Sequence, residues 1–318
     1  MEQGKVIWPV ALSGEQSGGL TRTMSGLVGN PAMHSRDAVW RTVPLTGEHL
    51  HSILPQWRDL WQKAGERNFF LSPDFLLPSL PLLASKRPML VTAFRGESLI
   101  GLMVMRGDIG YAKLPIGFWR SALHAEQYLG TPLVMKGEEG TFAKGLCEWL
   151  DRSDSSRCFV KIAYISADCD LANAIKGFCA NDERVSFEQG RHARAAISPA
   201  SDDVEFDAHL SANRRRSLRK ARRKLESLGA VDIESLTKAD ALSDWIDDFL
   251  KLENSGWKGA EGSSILSNPD ETELYRSIIR AAFDIGGLHF SRLCIDSKPI
   301  AYTLDIRAVP FAFCLKSA

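Results

Sequence analysis

The sequence lacks any long apolar run. Its best candidate, Leu99 to Met105, is strand-sized and far short of the roughly 20 residues a membrane-crossing helix needs, so no membrane span is expected. The N-terminus also lacks the apolar core of a signal peptide. Net charge is absent too: 39 basic residues balance 39 acidic ones, which excludes a globally basic nucleic-acid protein. The six cysteines, Cys147, Cys158, Cys169, Cys179, Cys294 and Cys314, include no C-x-x-C pair and no histidine at metal-ligand spacing. No metal is therefore expected, and the thiols read as reduced core residues of a cytoplasmic protein, with disulfide pairing as the alternative. His124 and His289 have no Ser, Cys or Asp partner at a recognisable spacing, so no hydrolytic triad is in view.

What is present begins with 44% apolar residues over 318 positions, ample for two cores. Charge is neutral overall but concentrated locally. Arg214, Arg215, Arg216, Arg219, Lys220, Arg222, Arg223 and Lys224 place eight cations in eleven positions without an acid. Leu218, Ala221, Leu225 and Leu228 recur every three or four residues, which predicts a helix with a narrow apolar seam docked on the protein. Gly229 is a natural stop for it. Such crowding is self-repulsive unless an anion relieves it, so Arg214, Arg215, Arg216 and Arg219 are candidate contacts for an anionic small molecule or glycan. A simply solvated helix is the alternative. The segment has no interleaved aromatics and no helix-turn-helix, zinc or ribbon pattern, so nucleic acid is not the expected partner.

In chain order, residues 1–40 are rich in Gly, Ser and Thr and read as a flexible leader. Two domains follow, 41–200 and 201–318. In the first, Ile53, Leu54, Trp57, Leu60 and Trp61 recur at helical spacing. Ser72-Pro73-Asp74 caps a second helix that Pro78 and Pro81 should kink or shorten. MLVTAF, LIGLMVM and a strand around Tyr111 to Phe118 form a meander. A helix over Gly140–Leu150, a strand over Cys158–Ile165, a helix over Leu171–Cys179 and short strands near Val185 and Ala195 complete it. In the second domain the basic helix precedes a strand over Val231–Ser235, and Thr237 with Asp240 resembles a capping box before an amphipathic helix. Asn268-Pro269 starts another helix, and LHFSRLCI, IAYTLDI and FAFCL form a second meander.

Pro88–Phe118 and Gly287–Leu315 thus share one plan, an internal duplication about 200 residues apart. The first copy continues for about 80 residues beyond its third strand and the second does not. The second lobe is accordingly expected to be truncated at its C-terminus, with the Phe311–Leu315 edge covered by a partner, for example in a homo-oligomer.

At FDAHLSANRRRSLRKARRKLESLG, followed by LENSGWKG, KPIAYTLDI and CLKSA, the chain resembles GNAT-superfamily acyltransferases. The likeness is to the CelD-type proteins of bacterial cellulose and exopolysaccharide clusters, related in fold to Fem-type peptidyltransferases. HAEQYLGTPLV in the first half is similar to a loop those proteins carry there, and the resemblance spans about residues 45 to 318. It implies an α/β fold of tandem GNAT-like lobes with mixed central sheets. Acetyl-CoA or another acyl-CoA would be the donor, held by the second lobe, and the reaction would be N- or O-acylation in polysaccharide or cell-envelope synthesis. The family's acidic-tyrosine segment and Pro-Gly loop, whose amides would bind the donor's pyrophosphate, are not found in these residues. A non-catalytic GNAT-like binding or regulatory protein is therefore the alternative.

Acyl transfer from a thioester needs a group to take the proton from the attacking amine or hydroxyl. Glu253, four residues before Trp257-Lys258-Gly259, is one candidate, either as proton acceptor or as a contact for the acceptor. A surface or capping role is its alternative. Gly256 and Gly259 read as leaving that loop adaptable. Trp257 is either a core plug or a stacking face. Lys258 could pair with a phosphate or with Glu253, or stay solvated. Asp305 is the second catalytic candidate, on the strand face it shares with Thr303 and Ala301, opposite Tyr302, Leu304 and Ile306.

Overall fold

The computed structural model describes residues 7–11, 33–34, 38–153, 156–193, 210–308 and 311–318. The chain divides into two compact units, Met1–His192 and Ala193–Ala318.

In the first unit, β1 (Ile7–Ala11), β2 (Met33–His34) and β3 (Val39–Pro44) precede α1 (Gly47–Ser52), α2 (Leu54–Lys63), a 3-10 turn at Phe69–Leu71 and α3 (Pro73–Leu83). Then come β4 (Met89–Arg95), β5 (Ser98–Tyr111), β6 (Leu114–Ser121), β7 (Leu133–Val134), α4 (Glu139–Arg152), β8 (Arg157–Ala163) and α5 (Asp170–Asn181). They build one eight-stranded sheet in the order β1-β8-β6-β5-β4-β3-β2, with β7 added beside β5. Pairing is antiparallel except between β6 and β8, which run parallel. Within the stretch read as a leader, Ile7–Ala11 pairs with β8 and Met33–His34 with β3. Most of the remainder lies outside the described residues, as does the strand read near Ala195. Near Val185 there is a single bridge residue, Ser186, and no extended strand.

This sheet is buried on both faces, which is why LIGLMVM reads as an unbroken apolar run. Met103 and Met105 join a core with Phe142, Leu146 and Leu150 of α4 and Ile175 of α5. Leu102 and Val104 alternate to the other face, where α2 packs on β5. Close approach of α4 depends on two glycines: a Cβ on Gly101 would lie 2.4 Å from the Phe142 ring, and one on Gly145 would lie 2.2 Å from Trp40 Nε1. In α3, Pro78 and Pro81 sit inside a continuous eleven-residue helix rather than ending it.

In the second unit, α6 (Ala212–Glu226), β9 (Val231–Ser235), a 3-10 turn at Ala239–Ala241, α7 (Leu242–Ser255) and α8 (Trp257–Ala260) lead to a second 3-10 turn at Ile265–Ser267. Then follow α9 (Pro269–Asp284), β10 (Leu288–Ile295), β11 (Lys298–Ala308) and β12 (Phe311–Ser317). The sheet order is β12-β11-β10-β9, antiparallel throughout. Among the described residues the parallel pair, β6 with β8, lies in the first sheet. Trp245 and Phe249 of α7 meet Phe290 and Tyr302 edge-on, with ring centroids 5.6–6.0 Å apart. The expected capping box at Thr237 is not formed: α7 is entered from the 3-10 turn, without a side-chain cap.

After β3 and β9 the two units repeat one succession of elements. In each, a 3-10 turn runs into a capping side chain (Ser72, Asn268), a proline at the first helical position (Pro73, Pro269), a helix and an antiparallel meander. The basic helix departs from its expected docking. No residue of α6 is buried, with Leu218 45% and, just beyond it, Leu228 64% exposed. Burying that seam would also strip water from the guanidinium groups flanking it, a cost a few leucine contacts do not offset. Nor are all the thiols core residues: Cys158 and Cys314 are exposed.

Candidate functional site

Glu253 is the most buried acidic side chain near the candidate loop, 4% exposed at the C-terminal end of α7. Its Oε2 accepts the Ile265 amide at 2.9 Å, and Oε1 lies 3.3 Å from Lys258 Nζ. Oε1 accepts no hydrogen bond, so the ammonium holds it through charge alone. Next to it, Asn254 Oδ1 accepts the Ser264 hydroxyl at 2.6 Å, and Ser264 Oγ meets Ser267 Oγ at 2.7 Å. The Lys258 carbonyl accepts the Ser263 amide. Every polar residue of the Glu253–Asn254 pair is therefore fastened to the 3-10 turn that starts α9.

The same bonds overturn the adaptable loop. Trp257–Ala260 is a helical turn, and a Cβ on Gly259 would fall 1.8 Å from the Asn254 carbonyl oxygen. Glycine is required there by backbone contact, not by mobility. Trp257 is 66% exposed and so is no core plug, and the Lys258 ammonium lies 6.0 Å from its ring centroid.

Asp305 lies where strand alternation puts it. Tyr302, Leu304 and Ile306 are buried towards α7, whereas Thr303 is exposed and Asp305 half-buried on the opposite face. Glu253 and Asp305 therefore belong to different layers of the unit and are not brought together. The structure instead gives Asp305 two cross-strand neighbours. His289 stands directly opposite on β10, its Nδ1 3.5 Å from Asp305 Oδ2. Cys314 stands opposite on β12, and burial together with a hydrogen bond to Asp305 pushes its thiol up to about 11. The carboxylate can orient the imidazole, while the thiol stays protonated and a poor nucleophile near neutral pH.

Spacing along the sequence hides the partner of His289, because the pair is joined through a hairpin. A bulge between Leu293 and Cys294 shifts the register by one residue. The tight turn at Asp296–Ser297 marks the hairpin, but nothing in the residues announces that bulge.

Arg214, Arg216 and Arg219 stand exposed on α6, with Arg215 half-exposed and donating to the Leu210 carbonyl. Arg222 pairs with Glu226 one turn on. Among the described residues, no group of three or more His, Cys, Asp or Glu side chains could hold a metal ion.

In the first unit, HAEQYLGTPLV forms a pinned loop. Asn68, fully buried, donates to the Leu129 and Thr131 carbonyls at 3.2 and 2.7 Å. A cleft lined by Leu71, Met103, Ser121, Gln127 and Gly130 opens where the partner of β5 changes from β6 to β7. It has room for little more than a water molecule.

The span from the start of α6 to the start of β12 is also where the chain matches a known family. Residues 212–312 match the family model described as an acetyltransferase (GNAT) domain. This supports placing that segment in the GNAT superfamily and acyl transfer as its general chemistry. Glu253, Trp257, Lys258, His289, Asp305 and the arginines of α6 fall inside it, and Cys314 lies two residues beyond. A search of curated proteins finds no match. No helix among the described residues is long and apolar enough to cross a membrane.

Proposed function

We propose that the chain transfers an acyl group from acetyl-CoA or another acyl-CoA to an amine or hydroxyl of a polysaccharide or cell-envelope precursor, as CelD-type proteins and their Fem-type relatives are expected to do. The match of residues 212–312 to an acetyltransferase domain carries the reaction class. The acceptor class rests on the resemblance of the basic helix and LENSGWKG.

Glu253 supplies the proton-accepting group. Its Oε1 is buried, negatively charged and free of hydrogen bonds. As the amine or hydroxyl attacks the thioester carbonyl, its proton passes to that oxygen, directly or through one water, and the departing sulfur takes a proton from solvent. Lys258 then exchanges a neutralised partner for a phosphate or the developing oxyanion, and Trp257 offers a flat exposed face to a sugar or adenine ring. The cations of α6, Arg214, Arg215, Arg216 and Arg219, fit the anionic groups of donor or acceptor by charge. Asp305, on the other face of the sheet, holds His289 and is the alternative proton carrier to Glu253, not its partner.

A GNAT-like binding or regulatory module is the second reading. One observation favours it: Glu253 is already engaged on both oxygens, by the Ile265 amide and by Lys258.

Thiol release from acetyl-CoA, measured for the full chain with panels of amine and hydroxyl acceptors including anionic glycans, separates the two. Glu253→Gln keeps an oxygen for the Ile265 amide and removes only the charge. The enzyme reading expects a rate loss of about 100-fold or more with an unchanged circular dichroism spectrum. Undiminished turnover in that variant removes Glu253 from the chemistry, and calorimetry showing no acetyl-CoA binding by the wild type leaves the binding-module reading.

A further inference from the structure

The feature the acyl-transfer chemistry absorbs least is the outer face of α6. Over 15 residues this helix buries nothing. On a helical wheel Leu218, Ala221, Leu225 and Leu228 fall within a single narrow sector, since their spacing is three, four and three. Leu228 follows the C-cap Ser227 and keeps the helical path, its amide bonded to the Leu225 carbonyl. The sector is open to solvent, most plainly at Leu218 and Leu228. Seven of the eight cations cover the rest of the surface, with Arg222 and Lys224 bordering the seam on its two sides, while Arg214 stands one turn before Leu218 at the N-terminal end of the seam. The first acid is Glu226, in the last turn.

Solvated leucines and crowded cations are each costly to the free protein, and one partner relieves both. A soluble polyanion or a nucleic acid neutralises the cations but gives the leucines nothing to bury against. An apolar protein groove takes the leucines but not eight positive charges. An anionic lipid surface offers phosphate headgroups with hydrocarbon just beneath, and long Arg and Lys side chains reach up from a seated helix to those headgroups.

We infer that α6 is an interfacial helix that seats the chain on an anionic membrane surface, with Leu218, Leu225 and Leu228 in the acyl boundary and the flanking cations on the headgroups. This gives the helix a partner different from the donor or acceptor anion proposed above, and it stands or falls independently of acyl transfer.

The test is co-sedimentation of the full chain with vesicles of neutral phosphatidylcholine and of phosphatidylcholine containing phosphatidylglycerol, read without any activity measurement. Binding is expected to the anionic vesicles and not to the neutral ones, falling steeply as salt is raised. Lys220→Gln with Lys224→Gln should weaken it by about tenfold or more, each cation near the surface being worth roughly fivefold. Leu218→Ala with Leu228→Ala should weaken it by at least about tenfold. All four positions are exposed, so circular dichroism should show the variants folded. Failure to bind anionic vesicles overturns the inference, as does equal binding to both compositions. Anionic binding untouched by the leucine changes also overturns it, since the helix is then a soluble-polyanion site with no lipid insertion.

Discussion

The two units run the same succession of strand, helices and meander, yet their middle strands are buried differently. In β5, Leu99 through Met105 are all buried, because α4 and α5 cover one face of the sheet and α2 the other. In β11, burial alternates: Tyr302, Leu304 and Ile306 are buried while Thr303 and Arg307 are exposed. On that same face β9 presents Ile233 at 72% exposure. One backbone plan thus gives two chemical opportunities. A sheet closed on both faces is a scaffold, and a sheet with an accessible face leaves His289 and Cys314 exposed beside Asp305.

The sharpest way to break this comparison is to delete side chains from the two kinds of face. Phe142→Ala empties the space between α4 and Gly101 and should destabilise the first unit by about 3–5 kcal/mol, read from the denaturant midpoint. Thr303→Ala or Ile233→Ser on the open face of the second sheet should change stability by no more than about 0.5 kcal/mol. Equal losses at both places would mean that the second face is covered in solution.

The units also differ in how they fasten the 3-10 turn ahead of the proline-led helix. The first uses a neutral amide: Asn68 bonds its own turn at Phe70 and ties in the Leu129–Thr131 loop, while Trp57 Nε1 donates to the Leu71 carbonyl. The second uses a carboxylate, Glu253, with a lysine beside it. Asn68→Ala should therefore cost about 1–3 kcal/mol by orphaning buried carbonyls. In the second unit, Gly259→Ala should cost a comparable 1–3 kcal/mol because the new methyl group must displace the Asn254 backbone. A Gly259→Ala protein with wild-type stability would show that the turn yields, and with it the fixed geometry argued for Lys258.

Much of this was legible in the residues, for stated reasons. The caps at Ser72 and Asn268, each followed by proline, have one local meaning and form the helices they predict. The continuous run in β5 and the alternation in β11 report two-sided and one-sided burial directly. The docking of the α6 seam is not legible, because period 3.6 tells which residues share a side, not whether anything meets that side. Glu253 shows the same limit: its place at a helix end is visible, but the amide that holds it comes from Ile265, twelve residues on and past a turn. Strand pairing was hardest. Whether His289 faces Asp305 or Leu304 turns on a single extra residue near Cys294, a feature set by backbone geometry across two strands and not by composition.

The smallest effect expected is also the most local test of the open face. Cys314 is exposed, yet desolvation and the hydrogen bond to Asp305 raise its thiol to about 11. The folded state therefore holds that proton more tightly than the unfolded chain does. The stabilisation is fully present below the ordinary thiol range near 9 and is lost as pH rises through about 11, so alkali weakens the second unit slightly. Alkylation of Cys314 by iodoacetamide, followed by mass spectrometry of the modified peptide, should reach its half-maximal rate near pH 11. Asp305→Asn removes the carboxylate but leaves the burial, so the midpoint should fall only part of the way towards 9. A wild-type midpoint already near 9 would separate Cys314 from Asp305 and dissolve the cross-strand cluster that distinguishes this sheet from its closed counterpart.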